Sequence, residues 1–275
     1  MRYTEYTFSQ PTTEEQRDML VALLSDLGFD SFYDDDEGFK AYTSNDEAKD
    51  AVLELLTMDC FDGVNLNKVE LMPDKNWNEI WEASYQAVVV NQRCRVRAPF
   101  HPADDSFEFD LVIEPKMSFG TANHETTSQM IQLMLDTPFK NMDVLDMGSG
   151  TAVLAILAVK LEAKSVLAVD NDEWAYNNAF TNIGLNGVSD IEVVLGDASS
   201  LGERSFDIVL ANINRNILLR DMHVYVNAIN PGGKLFMSGF YLEDLTLIRD
   251  EAERLGLVYH RHMDKNNWVA VEFHK

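Results

Sequence analysis

Cysteine is almost missing from this sequence. Its 275 residues hold two, Cys60 and Cys94, in no metal-ligand spacing. So small a supply excludes a disulfide framework and a thiolate zinc centre, and the expected setting is a reducing cytoplasm. Basic residues are scarce too: 22 Lys and Arg against 46 Asp and Glu give a formal net charge of −24. A field of that sign repels bare nucleic acid and anionic membrane. It favours small cations or a basic protein partner, and it serves solubility equally well. Long apolar runs are also lacking. The longest, Ala152 to Val159, is far short of the roughly 20 residues that span a bilayer. The opening "MRYTEYTFSQ" alternates polar and aromatic residues where a signal peptide would be apolar. Neither nucleic acid nor membrane is expected as a partner.

The 46% of hydrophobic residues is enough for a substantial core, and the length suits one large domain plus a small one. Residues 1–72 read as the small one. "RYTEYTF" alternates like a half-buried strand. A helix follows, with Thr13 as N-cap, early glutamates and Gly28 after its last turn. Two short strands around the acidic run Asp34–Glu37, a helix capped by Asn45 or Asp46, and a closing strand complete the order β-α-β-β-α-β, that of a ferredoxin-like α+β fold. The acidic run reads as a solvated turn, since it lacks the spaced ligands of a calcium loop. Residues 73–88 read as a linker helix: Pro73 breaks the strand, and Trp77, Trp81 and Tyr85 fall on one helical face. Residues 89–275 form the large domain. Continuous apolar strands alternate there with amphipathic helices, so the expected fold is α/β: a seven-stranded, mostly parallel Rossmann-like sheet covered on both faces, its last strand antiparallel.

In such a sheet ligands bind at the carboxyl ends of the strands. The polar residues expected there are Asp146, Asp170, Asp197 and Asn212. The turn in "VLDMGSGTAVLAI" offers backbone N–H groups at Gly148 and Gly150. No Lys or Arg follows it as a phosphate loop requires, and Val153 stands where a dinucleotide fold has its third glycine. Three aspartates suit a cofactor with hydroxyls and positive charge but no phosphate. S-adenosylmethionine answers that description. Asp170 is placed to accept the ribose hydroxyls, Asp197 to serve the adenine end, and Asp146 to contact the cofactor or to cap the turn.

The stretch "FGTANHETTSQM" resembles the signature of the methyltransferases that modify large-subunit ribosomal protein L11, through Phe119, Gly120, Thr121, His124, Thr126 and Thr127. The resemblance continues in "VLDMGSGTAVLAI", "AVDND", Asn177–Asn178 and "VLANI", and reaches back to "NWNEIWEASYQ" and the small domain. It implies a protein N-methyltransferase acting on lysine side-chain amines of a basic ribosomal protein, with N-terminal amines as the further acceptors open to it. The small domain would grip the substrate, and the enzyme would be a cytoplasmic monomer. It further implies Thr127, Gly148, Asp170 and Asn212 as cofactor contacts, with Asn212 also catalytic, and places His124 and Trp268 near the substrate. Thr126 or Thr127 could equally cap its helix, His124 be structural, and Trp268 belong to the core. Asn212 is followed by Ile213 and Asn214 rather than the Asn-Pro-Pro-aromatic motif of amide- and adenine-methylating enzymes, which leaves amines as acceptors. Two departures stand out: Ala122 and Ala152 occupy positions where the family has glycine. They are the features that would favour a binding module without turnover. A small-molecule amine methyltransferase is the other alternative.

Overall fold

The computed structural model describes residues 3–11, 13–35, 38–45, 48–72, 85–115 and 124–275. The linker stretch with Trp77 and Trp81, and the signature residues Phe119, Gly120, Thr121 and Ala122, lie outside the described residues, as do Asp36, Glu37 and Asp46. Two compact units divide the chain, Met1–Ser84 and Tyr85–Lys275.

In the first unit the elements are β1 (Thr4–Phe8), α1 (Glu14–Asp26), β2 (Phe29–Asp35), β3 (Gly38–Thr43), α2 (Ala48–Leu55) and β4 (Leu66–Leu71). The sheet order is β2-β3-β1-β4, every pair antiparallel. Thr13 caps α1 by accepting from the Gln16 N–H at 3.1 Å, satisfying one of the donors a helix start leaves open. Tyr6, Phe8, Leu20, Leu24, Phe39 and Val52 close the core. One expectation needs correcting here. Asp34 and Asp35 belong to β2 and are not turn residues; being on an edge strand, they reach cations, Asp34 pairing with Arg17 at 2.6 Å and Asp35 with Lys40 at 2.8 Å.

The second unit opens with β5 (Val88–Val90), β6 (Cys94–Arg97) and β7 (Phe109–Val112), which form a three-stranded sheet of their own. After α3 (Glu125–Leu135) comes the main run: β8 (Asp143–Met147), α4 (Val153–Lys160), β9 (Ser165–Asp170), α5 (Glu173–Leu185), β10 (Ile191–Leu195), β11 (Phe206–Asn212), α6 (Arg215–Ala228), β12 (Ile229–Tyr241), α7 (Leu245–Arg254), β13 (Val258–Lys265) and β14 (Trp268–His274). The seven strands are ordered β10-β9-β8-β11-β12-β14-β13. β14 enters between β12 and β13 and runs antiparallel to both, because the short turn at Asn266–Asn267, both residues at positive φ, reverses the chain. The strands left of it are parallel. α6 begins at Arg215, where Asn214 accepts from the Asn216 N–H at 2.9 Å and caps it. α4 begins at Val153, after Ala152, which adopts φ +61°. Among the described residues no helix is long and apolar enough to cross a membrane.

Candidate cofactor and amine site

The site is built on the turn from β8 to α4. Gly148 has φ +73° and Gly150 φ +53°, where a side chain costs strain. A Cβ on Gly148 would also fall 2.0 Å from the Ile213 side chain. The turn is pinned to the next strand: the N–H groups of Gly148 and Ser149 donate to the Val169 carbonyl at 2.8 and 3.1 Å. Gly150 donates to Asp170 Oδ2 at 2.8 Å. Two adjoining cavities share Gly148. Thr127, Ser149, Gly150 and Asn212 line the first; Asp170, Asp197, Ile213, Arg220, Asp221 and Tyr225 are among those lining the second.

Asp170 accepts the Gly150 and Asp172 N–H groups on separate oxygens. A carboxylate has about four acceptor positions, so each oxygen keeps one for a hydroxyl. Asp197 accepts from the Ser199 hydroxyl at 2.6 Å and from its N–H at 2.9 Å, which holds its carboxyl below the usual range. The second cavity is lined by Asp170, Asp197, Asp221 and one cation, Arg220, already bound to Asp221 at 2.7 Å. Three negative charges against one repel a phosphate, while Ile213, Ala198 and Tyr225 offer apolar surface to a base. Arg220 arrives from a helix 70 residues beyond Gly150, and nothing in the turn itself announces it.

Asp146 takes no part in either lining. It is 1% exposed beneath the turn, and its Oδ2 accepts the Ala155 N–H at 3.1 Å. Burial pushes its carboxyl up to about 7, against the pull of that hydrogen bond, and the charge of Asp170 adds to the rise. Of the two roles open to it, the geometry is that of a cap. Ala152 also lines neither cavity. Its methyl is fully buried in the main hydrophobic cluster, so the departure from glycine costs backbone strain of about 1 kcal/mol without narrowing either cavity. It therefore lends no support to a binding module.

The first cavity joins two distant elements. Asn212, at the end of β11, donates from Nδ2 to the Thr127 hydroxyl at 3.3 Å, and Thr127 is wholly buried in the first turn of α3. That turn is capped by neither threonine. His124 is the N-cap, its Nδ1 accepting from the Thr126 N–H at 3.3 Å and lying 2.8 Å from the Thr126 hydroxyl oxygen. An imidazole nitrogen serves this purpose because the helix start presents unpaired donors. The ring of His124 meets Trp268 edge-on at 4.5 Å, and Trp268 lies tilted against Tyr241 at 4.1 Å. Trp268 thus stands behind the α3 cap and lines neither cavity. Ser149, which sequence reasoning passed over inside the quoted turn, is 6% exposed, and its hydroxyl has no partner. A buried hydroxyl left open in a glycine cradle is what a ligand's polar head group would complete.

A mostly parallel sheet in this order, with its antiparallel strand next to the edge and its cradle after the interior strand β8, defines a methyltransferase of Rossmann-like type. The family model described as ribosomal protein L11 methyltransferase matches residues 7–275. A ribosomal protein L11 methyltransferase of Bacteroides thetaiotaomicron is 46% identical, covering 99% of both chains, and that of Chlorobaculum tepidum is 31% identical, covering 92% of this chain and 91% of its own. The crystal structure of a ribosomal protein L11 methylase from Lactobacillus delbrueckii superposes with a TM-score of 0.64 at 26% identity, covering 69% of this chain and 98% of that one. The chain belongs to the ribosomal protein L11 methyltransferase family.

Proposed function

We propose that the chain methylates amines of ribosomal protein L11, lysine side chains and the N-terminal amine, using S-adenosylmethionine. The observation that carries this reading is the Asn212–Thr127 contact beside the Gly148–Gly150 cradle. When bound, S-adenosylmethionine supplies an electrophilic methyl group on a sulfonium centre. Gly148, Ser149 and Gly150 would hold its amino-acid end, Asp170 its ribose hydroxyls, and Asp197 with the apolar wall of Ile213 its adenine. The chain's remaining work concerns the amine. Lysine is protonated at neutral pH, with a reference pKa of about 10.4. Val153, Leu154 and Ile213 line the cavities with apolar surface, and desolvation there favours the neutral amine, its proton passing to water. Asn212, its Nδ2 engaged by Thr127, keeps Oδ1 to accept an amine N–H and so aim the nitrogen lone pair. Alignment then supplies most of the acceleration.

The first unit is proposed to grip the substrate protein. The net charge of −24 suits a basic ribosomal protein and not nucleic acid, and action as a cytoplasmic monomer is part of the same reading. Incubation of purified ribosomal protein L11 with the chain and S-adenosylmethionine, followed by mass spectrometry of its peptides, tests it. The expected result is methyl-sized mass increments on lysines; an unmodified protein would refute the reading.

A further inference from the structure

The inner face of α5 and its C-cap carry asparagines at every fourth position: Asn178 and Asn182 in the helix and Asn186 at the cap. Two of them act as stand-ins for a peptide group. Asn186 accepts from the Val112 N–H at 2.9 Å and donates to the Val112 carbonyl at 2.6 Å. Asn182 accepts from the Glu114 N–H at 2.9 Å and donates to the Thr151 carbonyl at 3.0 Å. Side-chain amides on this face therefore pair with extended main chain much as a neighbouring strand would. Asn178 breaks the pattern. It is 3% exposed, yet neither its Oδ1 nor its Nδ2 has a partner. A buried amide of that kind marks a place that a ligand completes.

Asn178 lines a concavity of about 430 Å³ together with Glu173, Trp174, Asn177 and Thr181. Trp174 is 82% exposed there, the most open large apolar side chain among the described residues. Among the described residues no Lys or Arg lines the concavity, and α5, which carries it, starts three residues after Asp170, a lining residue of the second cavity. An unpaired donor and acceptor suit a peptide group, an open indole suits a cation or its methylene stem, and Glu173 supplies the matching charge. A nucleic-acid segment would also stack on Trp174, but its phosphates would meet Glu173 without a compensating base.

We propose that this concavity docks an extended, lysine-bearing segment of the protein substrate, Asn178 pairing with its main chain and Trp174 with Glu173 receiving a cationic side chain. The proposal rests on the protein-methylating reading above. Steady-state methylation of ribosomal protein L11 by the full chain, alongside calorimetric titration with S-adenosylhomocysteine, tests it with W174A, W174F and N178A. Trp174 is exposed and the Asn178 amide holds no hydrogen bond, so neither change should disturb folding. W174A is expected to raise the KM for L11 about tenfold, W174F to recover part of that, and N178A to raise it severalfold. In all three, kcat and S-adenosylhomocysteine affinity should stay within about twofold of wild type. An unchanged KM in W174A and N178A would overturn the docking groove. So would a parallel loss of S-adenosylhomocysteine affinity in N178A, which would make Asn178 part of the cofactor cradle. A wild-type chain that binds S-adenosylhomocysteine but does not methylate L11 overturns the functional reading itself, and with it the groove; that failure shows before any variant is measured.

Discussion

The two units handle their polar groups in opposite ways. In the first, Thr13 caps a helix, Arg17 and Lys40 answer the acids of β2, and Gln16 donates to the Cys60 carbonyl at 2.9 Å. Among the described residues, every buried side-chain polar atom without a hydrogen-bond partner lies in the second unit, on Asp110, Gln129, Ser149 and Asn178. Ser149 and Asn178 line cavities, and the fully buried Asp146 lies under the turn that forms the cradle. Unsatisfied groups and a displaced pKa are costly, and they persist where the rest of the fold outweighs them and a ligand gains from them. A self-satisfied unit and a strained one are what a gripping domain and a reacting domain should look like.

That contrast can be broken most directly by removing the first unit. Without residues 1–84, methylation of ribosomal protein L11 should fall below detection while S-adenosylhomocysteine binding, followed by calorimetry, stays within about twofold. Equal loss of both would erase the division of labour. Next in size is Asp170→Ala. Losing the charged acceptor for two hydroxyls should weaken cofactor binding about a hundredfold or more, a loss that equilibrium dialysis would register; unchanged binding would move the ribose elsewhere. Asn212→Ala should lower kcat about a hundredfold through lost alignment, with the fold intact by circular dichroism.

Asp146→Asn sharpens the comparison through pH. The wild-type carboxyl is raised from 3.8 to about 7 in the folded chain, so between those values the folded state binds more protons than the unfolded one. Its contribution to stability is therefore present at low pH and shrinks as pH rises toward 7. The asparagine variant should gain on wild type by roughly 2 kcal/mol between about pH 5 and pH 8 in urea titrations; a constant difference across that span would contradict the burial argument. The smallest effect belongs to Ala152→Gly. Relief of left-handed strain, about 1 kcal/mol, opposes loss of a buried methyl worth about 0.8 kcal/mol. Stability should barely move, and cofactor affinity should not change. A tenfold change in affinity would place that methyl in the cradle after all.

Much of this was legible in the linear chain. The strand-turn-helix of "VLDMGSGTAVLAI", the cap at Thr13 and the antiparallel final strand follow from patterns a few residues long. Asp170, Asp197, Gly148, Gly150, Thr127 and Asn212 line the two cavities. Asp146 and Trp268 do not, and the capping role fell to His124 and not to a threonine. Arg220, Ser149 and the amide ladder of α5 escaped notice, since each acquires meaning from a neighbour that packing supplies.

The sequence by itself determined the elements and the cradle, because backbone preference, hydrophobic period and the left-handed freedom of glycine act within a turn of chain. Only the tertiary structure decided that Asn212 meets Thr127 across 85 residues, that the Ala152 methyl points into the core, and that Asp146 sits dry at about 7. Burial and long-range hydrogen bonds depend on which surfaces close on one another, and that is fixed when the sheet and its helices pack.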